Sequence, residues 1–321
     1  MSTITNISAC LIVKNESENL SRCINSIKRF CDQIVVVDTG SSDNTPQIAS
    51  NLGCDLYFFK WNDDFSAARN FAIDHAYCDW ILSIDADEYV DENFNPILLN
   101  IDNNVGGINL QLINFLNDSK DQISKHSYTR IFKNDDRIRF KGRIHEQIRE
   151  SIEESGMFVQ GSNLYIYHTG YINTTKEKKE RNKKLLEEEF KKSGDDWNKY
   201  NLAETDFSLG NLDRALNLFR TLLNSNELNK DQIQKVKIRL GQIFLSKEKY
   251  EEAVSILNFD AFDKDLEGLR KFVLGACYLY LNDYKNSKLN YQSQEVKDST
   301  LVDNDTVYKA LFVIEQLQKK S

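Results

Sequence analysis

Apolar positions recur with two different periods along the N-terminal third of the chain, and the switches between them mark out the elements. Ile7 to Val13 is a β-branched run that predicts a strand, and it gives way at Lys14-Asn15-Glu16-Ser17 to a helical spacing of Leu20, Cys23, Ile24, Ile27 and Phe30. Gln33-Ile34-Val35-Val36-Val37-Asp38 is continuously apolar and closed by an acid, as expected of a parallel strand covered on both faces. The turn Thr39 to Asn44 leads to Thr45 as a helix N-cap with Pro46 at the first helical position, and Gly53 stops that helix after Leu52. Cys54 to Trp61 predicts a third strand, Phe65 to His75 a further helix, and Trp80 to Ile84 a short buried strand. Repeated strand-helix units of this length predict a doubly wound parallel sheet. Ligands bind such sheets beyond the carboxyl ends of the strands, where Lys14, Asp38 and Asp85 stand.

After Pro96 the regularity fades, and Gly106 to Leu112 resumes a strict alternation that predicts a strand with one open face in a mixed or antiparallel part of the sheet. Thr129 to Lys133, the turn Asn134-Asp135-Asp136 and Arg137 to Phe140 predict a hairpin. Gly142 to Ile148 follows as an extended segment, which would send His145 and Glu146 to opposite faces. Leu164 to Tyr171 predicts a last strand with His168 near its end. From Thr174 the strand signals stop. Lys176 to Lys192 is a charge run, basic first and then acidic at Glu187-Glu188-Glu189, and predicts a solvated connecting helix.

An internal repeat follows. Leu202-Ala203, Leu240-Gly241 and Leu274-Gly275 align, as do Ala215, Ala253 and Ser287, and Phe219, Leu257 and Tyr291, at offsets of 38 and 34 residues. These offsets are close to the tetratricopeptide (TPR) period, and each unit reads as two helices with a small residue at their crossing, turning at pairs such as Gly210-Asn211 and Asn282-Asp283. Ser287 stands where the repeat usually has alanine, and Val307 to Gln318 reads as a capping helix.

Composition narrows the classes. A chain of 321 residues favours two domains. Its 41 basic and 49 acidic residues give a net charge of −8, which argues against the basic face that a nucleic-acid partner demands. No apolar run approaches the ~20 residues of a membrane span, the first residues lack a positively charged leader, and a cytoplasmic location is expected. Six cysteines at irregular spacings suggest neither a zinc site nor a disulfide framework.

The chemistry concentrates in Asp85-Ala86-Asp87-Glu88. On a strand, residues two apart point the same way, so Asp85 and Asp87 would present two hard oxygen ligands together, suited to Mg²⁺ or Mn²⁺ and through it to substrate phosphates. The plain alternative is a solvated acidic turn.

Four stretches in order carry a resemblance: Leu11-Ile12-Val13-Lys14-Asn15-Glu16, Val37 to Thr45, Phe65-Ser66-Ala67-Ala68-Arg69-Asn70 and Asp85-Ala86-Asp87-Glu88. Together they resemble the core of the family 2 glycosyltransferases with the GT-A fold. The resemblance implies transfer of a sugar from a nucleotide diphosphate donor, with inversion and with Mg²⁺ or Mn²⁺. It implies that Asp38 accepts from the uracil N3–H or the ribose, although Thr39 stands where many relatives have a second acid. It implies a nucleotide contact for Arg69, whose plain alternative is a surface ion pair with Asp63 or Asp64. Lys14 and Glu16 would line the donor site or simply cap the next helix. Glu146 resembles the acid of the acceptor side and would be the base, unless it merely pairs with Arg143 or Arg149. His168 resembles the late histidine that joins the metal in the wider GT-A group.

The expected architecture is an α/β domain of GT-A type with a mixed, mostly parallel sheet over residues 1–173, a linker helix over 174–195, and an all-α, TPR-like domain over 196–321. The layout is similar to bacterial peptide glycosyltransferases of the sublancin type. The function this implies is an inverting transfer of glucose or N-acetylglucosamine from a UDP-sugar to a peptide or protein acceptor engaged by the repeats. Other roles for the repeats are a rigid brace or a homodimer surface. Alternatives for the whole are assembly of a surface glycan on a lipid carrier and a non-catalytic TPR scaffold.

Overall fold

The structure, a computed structural model, describes residues 4–115, 123–169 and 176–319, and the chain forms two compact units, Met1–Thr174 and Thr175–Ser321. In the first unit the elements run β1 (Ile7–Val13), α1 (Leu20–Ile27), β2 (Gln33–Asp38), α2 (Thr45–Asn51), β3 (Asp55–Phe58), α3 (Phe65–Ile73), β4 (Trp80–Ser83), β5 (Glu88–Tyr89), β6 (Val105–Phe115), β7 (Ile123–Lys133), α4 (Arg149–Glu154) and β8 (Phe158–His168). They build an eight-stranded mixed sheet in the order β3-β2-β1-β4-β7-β6-β8-β5.

The parallel part is β3-β2-β1-β4; β1, β2 and β4 are mostly apolar and buried because helices cover both faces, whereas the edge strand β3 is half-exposed. Ile7, Ala9, Leu11 and Val13 of β1 pack in one core with Leu20, Cys23, Ile24 and Ile27 of α1. Cys10, Val35, Val37 and Ile81 face the other way, into a second core with Ala72 and Ile73 of α3. The period of two therefore decides which helix each strand residue meets. Antiparallel pairing begins where β7 joins β4, through Leu82 and Ile131, and continues from β7 to β6.

Three expectations need correction. Arg137 to Phe140 is not a strand, and no hairpin follows β7; Ile138 and Phe140 are buried in the second core from a loop, which imitates strand alternation. Gly142 to Ile148 is also a loop, closed by a single bridge between Lys141 and Gln147, and His145 has a left-handed backbone (φ 53°). Strand parity therefore does not separate His145 from Glu146. The strand over Gly106 to Leu112 has no open face; only Asn109 and Gln111 of it are partly exposed, because α4 and β8 pack beside it. Gly170 and Tyr171, which the sequence places at the end of the last strand, and Thr174, where it starts the linker, lie outside the described residues.

The second unit comprises α5 (Lys176–Ser193), α6 (Asp196–Ser208), α7 (Leu212–Leu222), α8 (Lys230–Ser246), α9 (Tyr250–Ile256), α10 (Lys264–Tyr280), α11 (Tyr284–Tyr291), α12 (Gln294–Asp298) and α13 (Asn304–Gln318). Helices α6/α7, α8/α9 and α10/α11 form successive antiparallel hairpins, and the repeated small residues lie at their crossings. A Cβ on Gly241 would stand 2.7 Å from Leu257, and one on Gly275 3.0 Å from the Tyr291 ring. Ser287 fits an alanine position because its hydroxyl donates to the Gly275 carbonyl at 2.7 Å. Helix α5 packs on α6, burying Leu185 and Leu186, while Lys183 meets the fully buried Asp206 at 2.6 Å.

Gly268 makes the tightest approach, since a Cβ there would lie 2.3 Å from the Glu295 carbonyl oxygen of α12. A backbone oxygen cannot swing aside as a side chain can, so Gly268→Ala is expected to lower the thermal midpoint. The cost should be about 1–3 kcal/mol despite alanine's better helix propensity. An unchanged or raised midpoint would contradict this packing.

Candidate active site

The sequence-predicted residues fall in two groups, one at the ends of β1 and β2 and one around the turn after β4, on strands that neighbour one another in the sheet. Asp38 closes β2, and its Oδ1 accepts the backbone N–H groups of Gly40 and Ser41 at 2.8 Å each, folding the turn back on itself. Its Oδ2 is buried and has no hydrogen-bond partner among the described residues. The loop after β1 is tied to this turn: Asn15 Oδ1 accepts the Ser42 N–H at 2.8 Å, and the Glu16 N–H donates to Thr45 Oγ1 at 2.8 Å. The Glu16 carboxylate accepts from Asn19 at the start of α1, and Lys14 is exposed on the same loop.

Beyond β4 the chain turns at once. Asp85 to Glu88 is a tight turn in which the Glu88 N–H donates to the Asp85 carbonyl (3.0 Å) and the Asp85 N–H donates to Glu88 Oε2 (2.9 Å). The parity argument for Asp85 and Asp87 therefore does not apply, and the two carboxylates part. Asp85 Oδ1 lies 2.8 Å from Arg69 Nη2, and its Oδ2 lies 3.4 Å from Arg130 Nη2. Asp87 Oδ2 instead lies 3.3 Å from His168 Nε2. Pairing of β5 with β8 sets Glu88 opposite His168 and brings this about.

Arg69 projects inward from α3, so its partners are neither Asp63 nor Asp64; Asp64 caps the helix instead. Its Nε donates to Glu146 Oε1 at 2.5 Å, Nη1 to Ser83 Oγ at 3.2 Å and Nη2 to Asp85, with the Phe140 ring beneath. One guanidinium thus holds the acid after β4 and the acid of the loop after β7. Arg130 of β7 continues the series, with Nη2 at 2.6 Å from Glu88 Oε1. Burial alone would raise the Asp85 carboxyl, but Arg69 and Arg130 hold it well below the usual carboxylate range. Glu88 has its pKa pushed by burial up to about 7 against the pull of Arg130.

Among the described residues, no three His, Cys, Asp or Glu side chains are grouped to hold a metal ion. The pair Asp87 and His168 nevertheless has the chemistry for one. His168 Nδ1 faces Asn114 Oδ1 at 2.7 Å and donates to it, which directs Nε2 at the Asp87 carboxylate. Two such acceptors side by side call for a shared cation, either a proton or a metal. Burial lowers the imidazole's affinity for a proton, but Asp87 outweighs this and raises it. The sequence reading missed Glu88, Arg130, Asn114 and Ser83. Glu88 adjoins the acidic pair and was visible, whereas nothing local marks Arg130 or Asn114.

Comparison with known proteins agrees with this arrangement of motifs. The pattern of glycosyl transferase family 2 matches residues 8–170, half of the 321-residue chain. A TPR repeat-containing protein of Synechococcus elongatus is 38% identical over 148 residues, which is 46% of this chain and 36% of that protein. The SPbeta prophage-derived glycosyltransferase SunS of Bacillus subtilis is 31% identical over 193 residues, 57% of this chain and 44% of that protein. The chain thus spans less than half the length of either relative. Among solved structures, glucosyl-3-phosphoglycerate synthase from Mycobacterium tuberculosis superposes with a TM-score of 0.42 at 15% identity, over 59% of this chain and 80% of that one. The chain belongs to glycosyl transferase family 2.

Proposed function

We propose that the first unit transfers glucose or N-acetylglucosamine, with inversion, from a UDP-sugar to a peptide or protein acceptor. The observation that carries this reading is the Arg69 guanidinium, which joins Asp85, beside the Asp87 and His168 pair, to Glu146. On this reading Arg69 links the donor half of the reaction to its acceptor half.

Asp38 Oδ2, a buried acceptor without a donor among the described residues, suits the N3–H of a uracil ring. Asp87 and His168 would hold Mn²⁺ or Mg²⁺, which when bound neutralises the departing diphosphate. Glu146 keeps Oε1 on Arg69, and its Oε2 makes no hydrogen bond among the described residues, so Oε2 is the oxygen for the acceptor's proton. The acceptor's hydroxyl or thiol attacks the anomeric carbon, its proton passes to Glu146, and the anomeric C–O bond breaks with its electron pair leaving on UDP. Arg69 keeps that carboxylate in place. Lys14 and Glu16 border the same strand ends and would contact the donor. A polypeptide acceptor is supported by the stacked helical hairpins of the second unit, since such arrays offer extended binding surfaces. No described helix is long and apolar enough to cross a membrane.

Purified protein with Mn²⁺ is expected to release UDP from UDP-glucose or UDP-N-acetylglucosamine. Asp87→Ala or chelation should cut that release roughly 10²- to 10³-fold; equal turnover without metal would remove the cation from the reading. Glu146→Gln should bind donor as before while transfer falls about 10²- to 10⁴-fold, and near-normal transfer would exclude Glu146 as the base. With labelled UDP-sugars and a cell lysate, label should appear in a protein band. Label in a lipid extract would favour glycan assembly on a carrier, and no turnover with any acceptor would favour the scaffold.

A further inference from the structure

Arg130 sits where the β6–β7 ladder slips. Ile108 pairs with Ile131 and Asn109 with Thr129, so Arg130 is the extra residue of a β-bulge. Bulges re-aim side chains, and they are over-represented beside active sites. The pairing of β7 with β4 ends at Leu82 and Ile131, so the bulge lies just past the end of β4, where the chain turns through Asp85 to Glu88. The side chain reaches that turn twice, at Glu88 Oε1 (2.6 Å) and Asp85 Oδ2 (3.4 Å). Glu88, only 1% exposed, passes the hold on through Oε2 to the Asp85 N–H. Meanwhile the buried Arg130 Nε–H finds no partner among the described residues, a cost that an ion pair kept for packing alone would not need to carry.

We infer that Arg130 is a positioning residue of the donor site: through Glu88 it fixes the Asp85 to Asp87 turn and so keeps Asp87 against His168. The inference rests on the reading of Asp87 and His168 as the pair that holds the divalent cation. It differs from a structural ion pair in what survives when both charges are removed together. A structural pair replaced by apolar residues of similar size returns its stability, and nothing else should change. A positioning pair returns stability without returning the turn.

The test uses the full chain and two readouts, the thermal midpoint and Mn²⁺ binding in the presence of UDP followed by electron paramagnetic resonance. R130M should lower both. E88M/R130M should recover the midpoint yet bind Mn²⁺ about 10- to 100-fold more weakly than the unmutated protein, the range seen when groups supporting metal ligands are lost. E88Q sets an NH2 donor where one of the two carboxylate oxygens accepts, against either Arg130 or the Asp85 N–H, and should fold while binding Mn²⁺ several-fold more weakly. Unmutated Mn²⁺ affinity in folded E88M/R130M, or in folded E88Q should the double variant not fold, would overturn the inference and leave a structural ion pair. If the unmutated protein itself shows no UDP-dependent Mn²⁺ binding, all variants will look alike; the reading of Asp87 and His168 then fails, and this inference falls with it.

Discussion

A line of alternating charge, Glu146–Arg69–Asp85–Arg130–Glu88, runs through the first unit, and the candidate site depends on it. Its carboxylates come from the loop after β7, the turn after β4 and the start of β5, and its arginines from α3 and β7. Glu88 and both guanidinium groups are largely out of water, so each charge is tolerable only with its neighbours in place. Loss of one member of such a buried set typically costs about 3–5 kcal/mol, because the partner is left uncompensated. The core on that face packs Ala72 and Ile73 of α3 with Phe132 of β7, the two elements that carry the arginines.

The same line divides the labour between two neighbouring acids. Asp85 faces two arginines and carries their charge, which leaves Asp87 to face an imidazole. A turn separates them where a continued strand would have kept them together. The charge of Asp85 is met by fixed cations of the protein, whereas that of Asp87 meets an imidazole. The arginine of α3 is likewise bonded within the protein through Nε and both Nη atoms, which links Glu146, Ser83 and Asp85.

Much of the fold was legible in the residues. Strands β1, β2 and β4 were visible because burial on both faces makes a strand continuously apolar, and the helices between them because their buried positions recur at helical spacing. The repeats in the second unit were visible because a helix crossing that excludes even a Cβ, as at Gly241 and Gly275, forces a small residue at a fixed period. The hairpin at 129–140 was misread for a related reason. Ile138 and Phe140 alternate and are buried, but they do so from a loop whose backbone finds partners in Ser151 and Asn70. Alternation reports burial, and a loop pressed against a core shows it as readily as a strand.

By itself the sequence determined which residues are candidates: the acids at strand ends, the arginine of α3, the late histidine and the family to which they point. Each lies in a segment whose own periodicity announces an element and its end. The tertiary structure alone decided who meets whom. Arg130 lies 42 residues from Glu88, and His168 lies 81 from Asp87, so neither pairing leaves a trace in local spacing. Those partners are chosen by strand order and by a one-residue slip in the β6–β7 ladder. Both arise from how the sheet packs as a whole, because a hydrogen-bond register is a property of two strands and cannot be written in either one.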